Sequence, residues 1–173
     1  LSILSYIFAG LMLSSCDGYL KEDPRDQLYP EDAYDTPQNG YLNTVASLYN
    51  YIGGYSDSQG LQGTYRGVYD LNTFTTDEAM LPTRGGDWYD GGFWQGLFLH
   101  KWGTNSDAIQ ATWEYLYKVI VLSNQSLEIL GELRQKTDYN DLDRYEAEVR
   151  AFRAMYYYYL VDMFGRVPLI VSS

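Results

Sequence analysis

Apolar residues recur at helical spacing in three stretches of the chain. The first opens at Thr36-Pro37, a capping side chain followed by a proline suited to the first helical position. Tyr41, Leu42, Val45, Leu48, Tyr49 and Ile52 follow at steps of three and four, and Gly53-Gly54 breaks the pattern. This predicts a helix over 37–52.

The second stretch carries Ile109, Trp113, Leu116, Ile120, Leu127 and Leu130 on one stripe. Asn105 or Ser106 is placed to cap it, and Gly131 reads as its stop. Trp113 lies on the stripe and is assigned to packing. Ser123 and Asn124 interrupt the stripe, and a buried amide there needs partners.

The third stretch runs from near Asn140 or Asp141 to Gly165. Tyr145, Val149, Phe152, Tyr156, Tyr159 and Met163 repeat along it, and Glu146 precedes Arg150 by one turn in the favourable order. Tyr156 to Tyr159 point around the whole helix, so contacts on several sides are expected. The short link to the preceding helix predicts an antiparallel hairpin. No exact internal repeat is visible.

Residues 53–104 are different. They hold 11 of the 16 glycines and three of the 4 tryptophans, and no helical or alternating pattern lasts more than a few residues. So long an irregular stretch is expected where loops themselves carry function.

Composition narrows the functions. Aromatic residues make up 17%, with 19 Tyr, a surplus that suits wet interfaces or sugar surfaces as well as a Tyr-rich core. A net charge of -11 repels phosphate backbones, so nucleic acid is not an expected partner. The same charge gains nothing from anionic lipid headgroups. With one Cys and 1 His, no intramolecular disulfide forms and a Cys/His zinc site lacks ligands, so neither metal nor cofactor is expected.

Leu1 to Ser15 carries no charge and is too short to span a bilayer as a permanent helix. It has the length of the apolar part of a signal peptide. Leu13-Ser14-Ser15-Cys16 resembles a bacterial lipobox, in which Cys16 becomes the acylated N-terminus. The polar, turn-rich residues after it read as a tether. The expected organisation is a truncated lipoprotein signal at 1–15, a lipidated tether at 16–35 and a domain at 36–173. Leu1 at the start and an apolar run, Val167 to Val171, at the finish lead us to expect a segment of a longer gene product.

Taken together, several segments resemble the SusD/RagB family. They are the Leu13–Cys16 lipobox, Thr75-Thr76-Asp77-Glu78, Pro82 to Trp88, Asp90-Gly91-Gly92, Trp113 to Tyr117 with Ser123-Asn124, and Glu148 to Ala154 with Phe164 to Ile170. The resemblance implies a mainly α fold of tetratricopeptide-like helix pairs with a long loop-rich insertion, here a fragment of the larger SusD-like fold. It implies a lipid anchor on the outer face of the outer membrane. It also implies a SusC-like TonB-dependent transporter as partner, and glycan, or in some members peptide, as cargo. No enzymatic activity and no cofactor are implied.

A sugar site needs aromatic faces for C–H surfaces and fixed polar groups for hydroxyls. By order and spacing, the resemblance to starch-binding members maps sugar contacts onto Asp77, Arg84, Trp102 and Asn105, with an α-glucan as the cargo. Asp77 accepts from hydroxyls, Arg84 donates, Asn105 does both, and Trp102 stacks. Structural roles stand beside these. Asn105 is a candidate helix cap, Trp94 and Trp102 are candidates for packing under the loops, and Asp77 with Arg84 is a candidate ion pair. His100 reads as an ordinary loop residue. A glycoside hydrolase drawing a carboxylate pair from Asp77, Glu78, Asp87 and Asp90 is the enzymatic alternative.

Overall fold

A computed structural model describes residues 32–53, 60–61, 67–86 and 88–173. Cys16 and the lipobox lie outside the described residues. The chain divides into two compact units, 1–33 and 34–173, and only Asp32 and Ala33 of the first are described.

The second unit is mainly α, with no strand element among the described residues. Helix α1 comprises Pro37–Tyr41, a wider turn at Leu42–Ala46 and Ser47–Tyr49. Thr36 caps it as expected, its Oγ1 accepting from Asn39 N at 3.1 Å. The wide turn has a local cause. Thr44 is buried, and its hydroxyl donates to Gly40 O at 2.6 Å while its own carbonyl accepts from Ser126 Oγ of the neighbouring helix at 2.9 Å. Hydroxyls bonded back onto the ladder loosen it. After Tyr49 the chain tightens, with Tyr51 N and Ile52 N donating three residues back, so the helix ends short of residue 52.

Helix α2 is Val68–Phe74 and α3 is Phe93–Phe98, the latter preceded by a tight turn at Asp90–Gly92. Both lie in the stretch where no lasting pattern is visible. Seven and six residues complete about two turns or fewer, so each helix offers only two or three apolar positions to read. Together with Ala108 they build a small core from Leu71, Trp94 and Leu97.

Helix α4, Asp107–Lys136, continues past Gly131, where the sequence pattern predicts a stop. A helical glycine is unfavourable by about 0.5–1 kcal/mol. Leu130 and Leu133 on either side are buried, and each such leucine gains about 1.5–3 kcal/mol on burial. Burial therefore carries the helix through. It ends at Thr137, whose extended backbone leaves the helix and whose Oγ1 donates to Leu133 O at 2.9 Å. Arg134 and Lys136 complement the dipole in the last turn.

Helix α5, Leu142–Phe164, has the predicted bounds, with Asp141 before it and Gly165 after it at φ 74. It runs antiparallel to α4. Arg134 at the end of α4 bonds Asp143 and Glu146 at the start of α5, at 2.7 and 2.8 Å. Towards the other end the Tyr115 and Tyr156 hydroxyls meet at 2.9 Å. At the far end Trp113 packs edge-on against Phe164, with ring centroids 5.0 Å apart. The main core lies between these helices and α1, around Leu116, Ile120, Val149 and Leu160.

Candidate functional site

The site grows out of α3 and the way it ends. Lys101 N donates to Gly96 O at 2.7 Å and His100 N to Leu97 O at 3.0 Å. These two bonds define a Schellman cap with His100 in the left-handed position, at φ 55. The reversal brings Lys101 O close over Gly96, where an added Cβ would lie 3.4 Å from it. Two residues beyond His100 the chain places Trp102, 45% of whose surface is exposed.

Other loops are fastened to this cap. His100 Nε2 lies 2.6 Å from Thr75 O, at the end of α2. Thr75 and Thr76 shape the turn that carries Asp77. Their hydroxyls donate to Leu71 O and Thr73 O, each at 2.7 Å. Gln95 of α3 donates from Nε2 to Thr83 Oγ1 at 2.6 Å, which tethers the loop carrying Arg84.

The four expected sugar contacts are all exposed, but they do not form one pocket. Trp102 and Asn105 line one cleft of about 410 Å³ together with Asp90, Gly96 and Lys101. Asp77 lines a second cleft, of about 510 Å³, with Thr75, Thr76, Phe98 and His100. Arg84 lines neither. Among the described residues no ion pair joins Asp77 to Arg84. Ser106, not Asn105, occupies the capping position of α4. Trp94 is buried, held edge-on between Phe74 and Phe93 with centroids 5.1 and 5.0 Å away. Of the loop tryptophans, Trp94 packs while Trp88 and Trp102 are exposed. Trp102 also borders a third cavity of about 300 Å³ floored by Leu71, Leu97 and Ile109.

The residue that sequence reasoning passed over is His100. Its position, directly after a short helix and where glycine is usual, becomes visible only once α3 is seen to form.

Among the described residues no cluster of His, Cys, Asp and Glu could hold a metal ion, and no helix is long and apolar enough to cross a membrane.

Residues 34–173 match the SusD-like family described as starch-binding and associating with the outer membrane. The chain belongs to the SusD-like family. Among similar proteins is SusD-like protein P25 of Formosa agariphila, 25% identical over 171 residues, which are 96% of this chain and 31% of that protein. Another is the starch-binding protein SusD of Bacteroides thetaiotaomicron, 27% identical over 110 residues, 64% of this chain and 18% of that one. The chain therefore spans about a third or less of these relatives. No solved structure matches it significantly. The SusD-like match takes in the α4–α5 pair and every loop attached to α3.

Proposed function

We propose that this SusD-like chain is part of a non-enzymatic surface protein that captures glycan and passes it to a SusC-like TonB-dependent transporter. Lipid on Cys16 holds it to the outer membrane, residues 16–35 act as the tether, and residues 36–173 begin the binding domain. The reading rests on one observation above the rest: an exposed indole, Trp102, shares a cleft with the amide of Asn105 just beyond the capped end of α3. An indole face and a two-way hydrogen-bonding amide are what a sugar ring and its hydroxyls require. Asp77, in the cleft that His100 also lines, adds a polar acceptor, and exposed Arg84 a donor. An α-glucan is the cargo favoured, in keeping with the family's description as starch-binding.

Affinity electrophoresis of the intact protein against a panel of polysaccharides tests this. Retardation by starch-type glucans is expected. Trp102→Ala weakens it by about 1–3 kcal/mol, the usual loss for an aromatic anchor. Binding to none of the polysaccharides, or unchanged binding by the variant, defeats the reading.

A further inference from the structure

The left-handed position of a Schellman cap is normally glycine, because a side chain there meets the backbone and is unfavourable by roughly 1–2 kcal/mol. At the end of α3 it is His100, at φ 55. The residue is exposed, so core packing does not account for the choice. A strained residue held at a candidate site is a reason to ask what its side chain does.

The imidazole makes two contacts that a glycine could not. Nε2 stands 2.6 Å from Thr75 O. A carbonyl oxygen only accepts, so the hydrogen is on Nε2, and in the neutral ring Nδ1 is left as an acceptor. The ring also lies against Trp102, with centroids 5.3 Å apart and planes at 55°. One side chain thus ties the turn that carries Asp77 to the indole that lines the neighbouring cleft. It lines the Asp77 cleft itself.

We propose that His100 is a positioning residue of the carbohydrate site. It holds the Trp102 ring at a set angle and fixes the Thr75–Asp77 turn beside it, so that two separate clefts act on one extended ligand. Its Nδ1 is an acceptor for a hydroxyl of that ligand. This inference rests on the reading of Trp102 as a sugar platform.

The test compares His100→Gly, His100→Gln and Trp102→Ala in the intact protein, with maltoheptaose as the probe in calorimetric titration. Glycine removes the backbone strain along with both contacts. His100→Gly is therefore expected to melt at or above the temperature of the unaltered protein while binding about tenfold more weakly, the scale of one well-made hydrogen bond. Glutamine places an amide nitrogen near the position of Nε2, and His100→Gln recovers most of that loss. Full affinity in His100→Gly overturns the proposal, as does a loss that only follows a lower melting temperature. A second readout does not depend on the ligand. The 5-fluorotryptophan NMR signal of Trp102, assigned through Trp102→Phe, broadens or splits in His100→Gly; an unchanged signal overturns the proposal. If Trp102→Ala binds maltoheptaose normally while the fluorine signal responds, the sugar platform is misassigned but His100 does hold Trp102.

Discussion

Arg153 of α5 donates from Nη1 to Oδ1 of Asn124 in α4 at 2.7 Å. With its oxygen engaged there, the buried amide turns its nitrogen outward and donates to Ile170 O and Ser172 O at 3.2 and 3.1 Å. Tyr157 completes the grip. Its hydroxyl accepts from Ile170 N at 2.6 Å and donates to Ile170 O at 2.9 Å. The extended segment after α5 is thereby fastened to the helix pair through its backbone. Leu169 and Val171 remain exposed.

Asn124→Ala should lower the stability of the fold by about 1–3 kcal/mol, because it removes the amide partner of a half-buried guanidinium and of Ser172 O, while Ile170 O keeps only Tyr157. Asn124→Asp should not restore it. A carboxylate keeps Arg153 but has no hydrogen for the two carbonyl oxygens. Urea unfolding of both variants checks this, and a change under about 0.5 kcal/mol for alanine would show the amide to be dispensable.

The Tyr115–Tyr156 pair makes stability sensitive to alkali. Tyr115 OH donates to Tyr51 O, so it accepts from Tyr156 OH at 2.9 Å. Burial pushes the Tyr115 hydroxyl up to about 12. Burial, and then its bond to Tyr115, raises Tyr156 as well. In the unfolded chain both ionise near pH 10. Below that pH their contribution is fully present. Above it the unfolded state loses protons that the folded state retains, and stability falls by up to about 2.7 kcal/mol per pH unit for two protons. Circular dichroism with tyrosinate absorbance should show unfolding and ionisation rising together above about pH 10. A Tyr115→Phe/Tyr156→Phe double variant should have a flatter profile in that range. An equal slope in the two proteins would count against the pair.

Gly165 ends α5 at φ 74 and ψ -113, and a Cβ built there meets no atom within 4 Å. Alanine at this position is therefore opposed by the backbone alone, at about 1–3 kcal/mol. Thermal unfolding of Gly165→Ala should show that loss. A variant as stable as the parent would mean that the turn relaxes into an ordinary conformation.

Acylation at Cys16 has a direct readout. Metabolic labelling with an alkyne fatty acid should mark the intact protein, and Cys16→Ala should abolish the label and release the protein from the membrane fraction. Retention of both label and membrane association in the variant would exclude Cys16 as the anchor.

Much of the helical frame is legible in the sequence. Thr36 caps α1 because the following proline favours an extended backbone at Thr36, from which its hydroxyl oxygen accepts from Asn39 N, and α5 spans its predicted bounds because six apolar positions repeat over several turns. Asn124 stands out as a polar break in an apolar stripe. Gly131 misleads because its local preference is outweighed by leucines that are buried only once α5 is in place. Helices α2 and α3 escape detection because two turns contain too little periodicity. Within the site, the polar and aromatic residue types are readable, while Trp94 and Trp102 can be told apart only by the small core that encloses one and leaves the other exposed.

The sequence by itself determined the long helices, their antiparallel pairing and the chemistry gathered in the loops, because periodicity, capping and short connections act between near neighbours. Only the tertiary structure decided that α4 passes through Gly131, that Trp102 shares a cleft with Asn105, and that His100 spans from Thr75 to Trp102. Those outcomes depend on contacts between distant residues, and such contacts exist only after burial has brought the elements together.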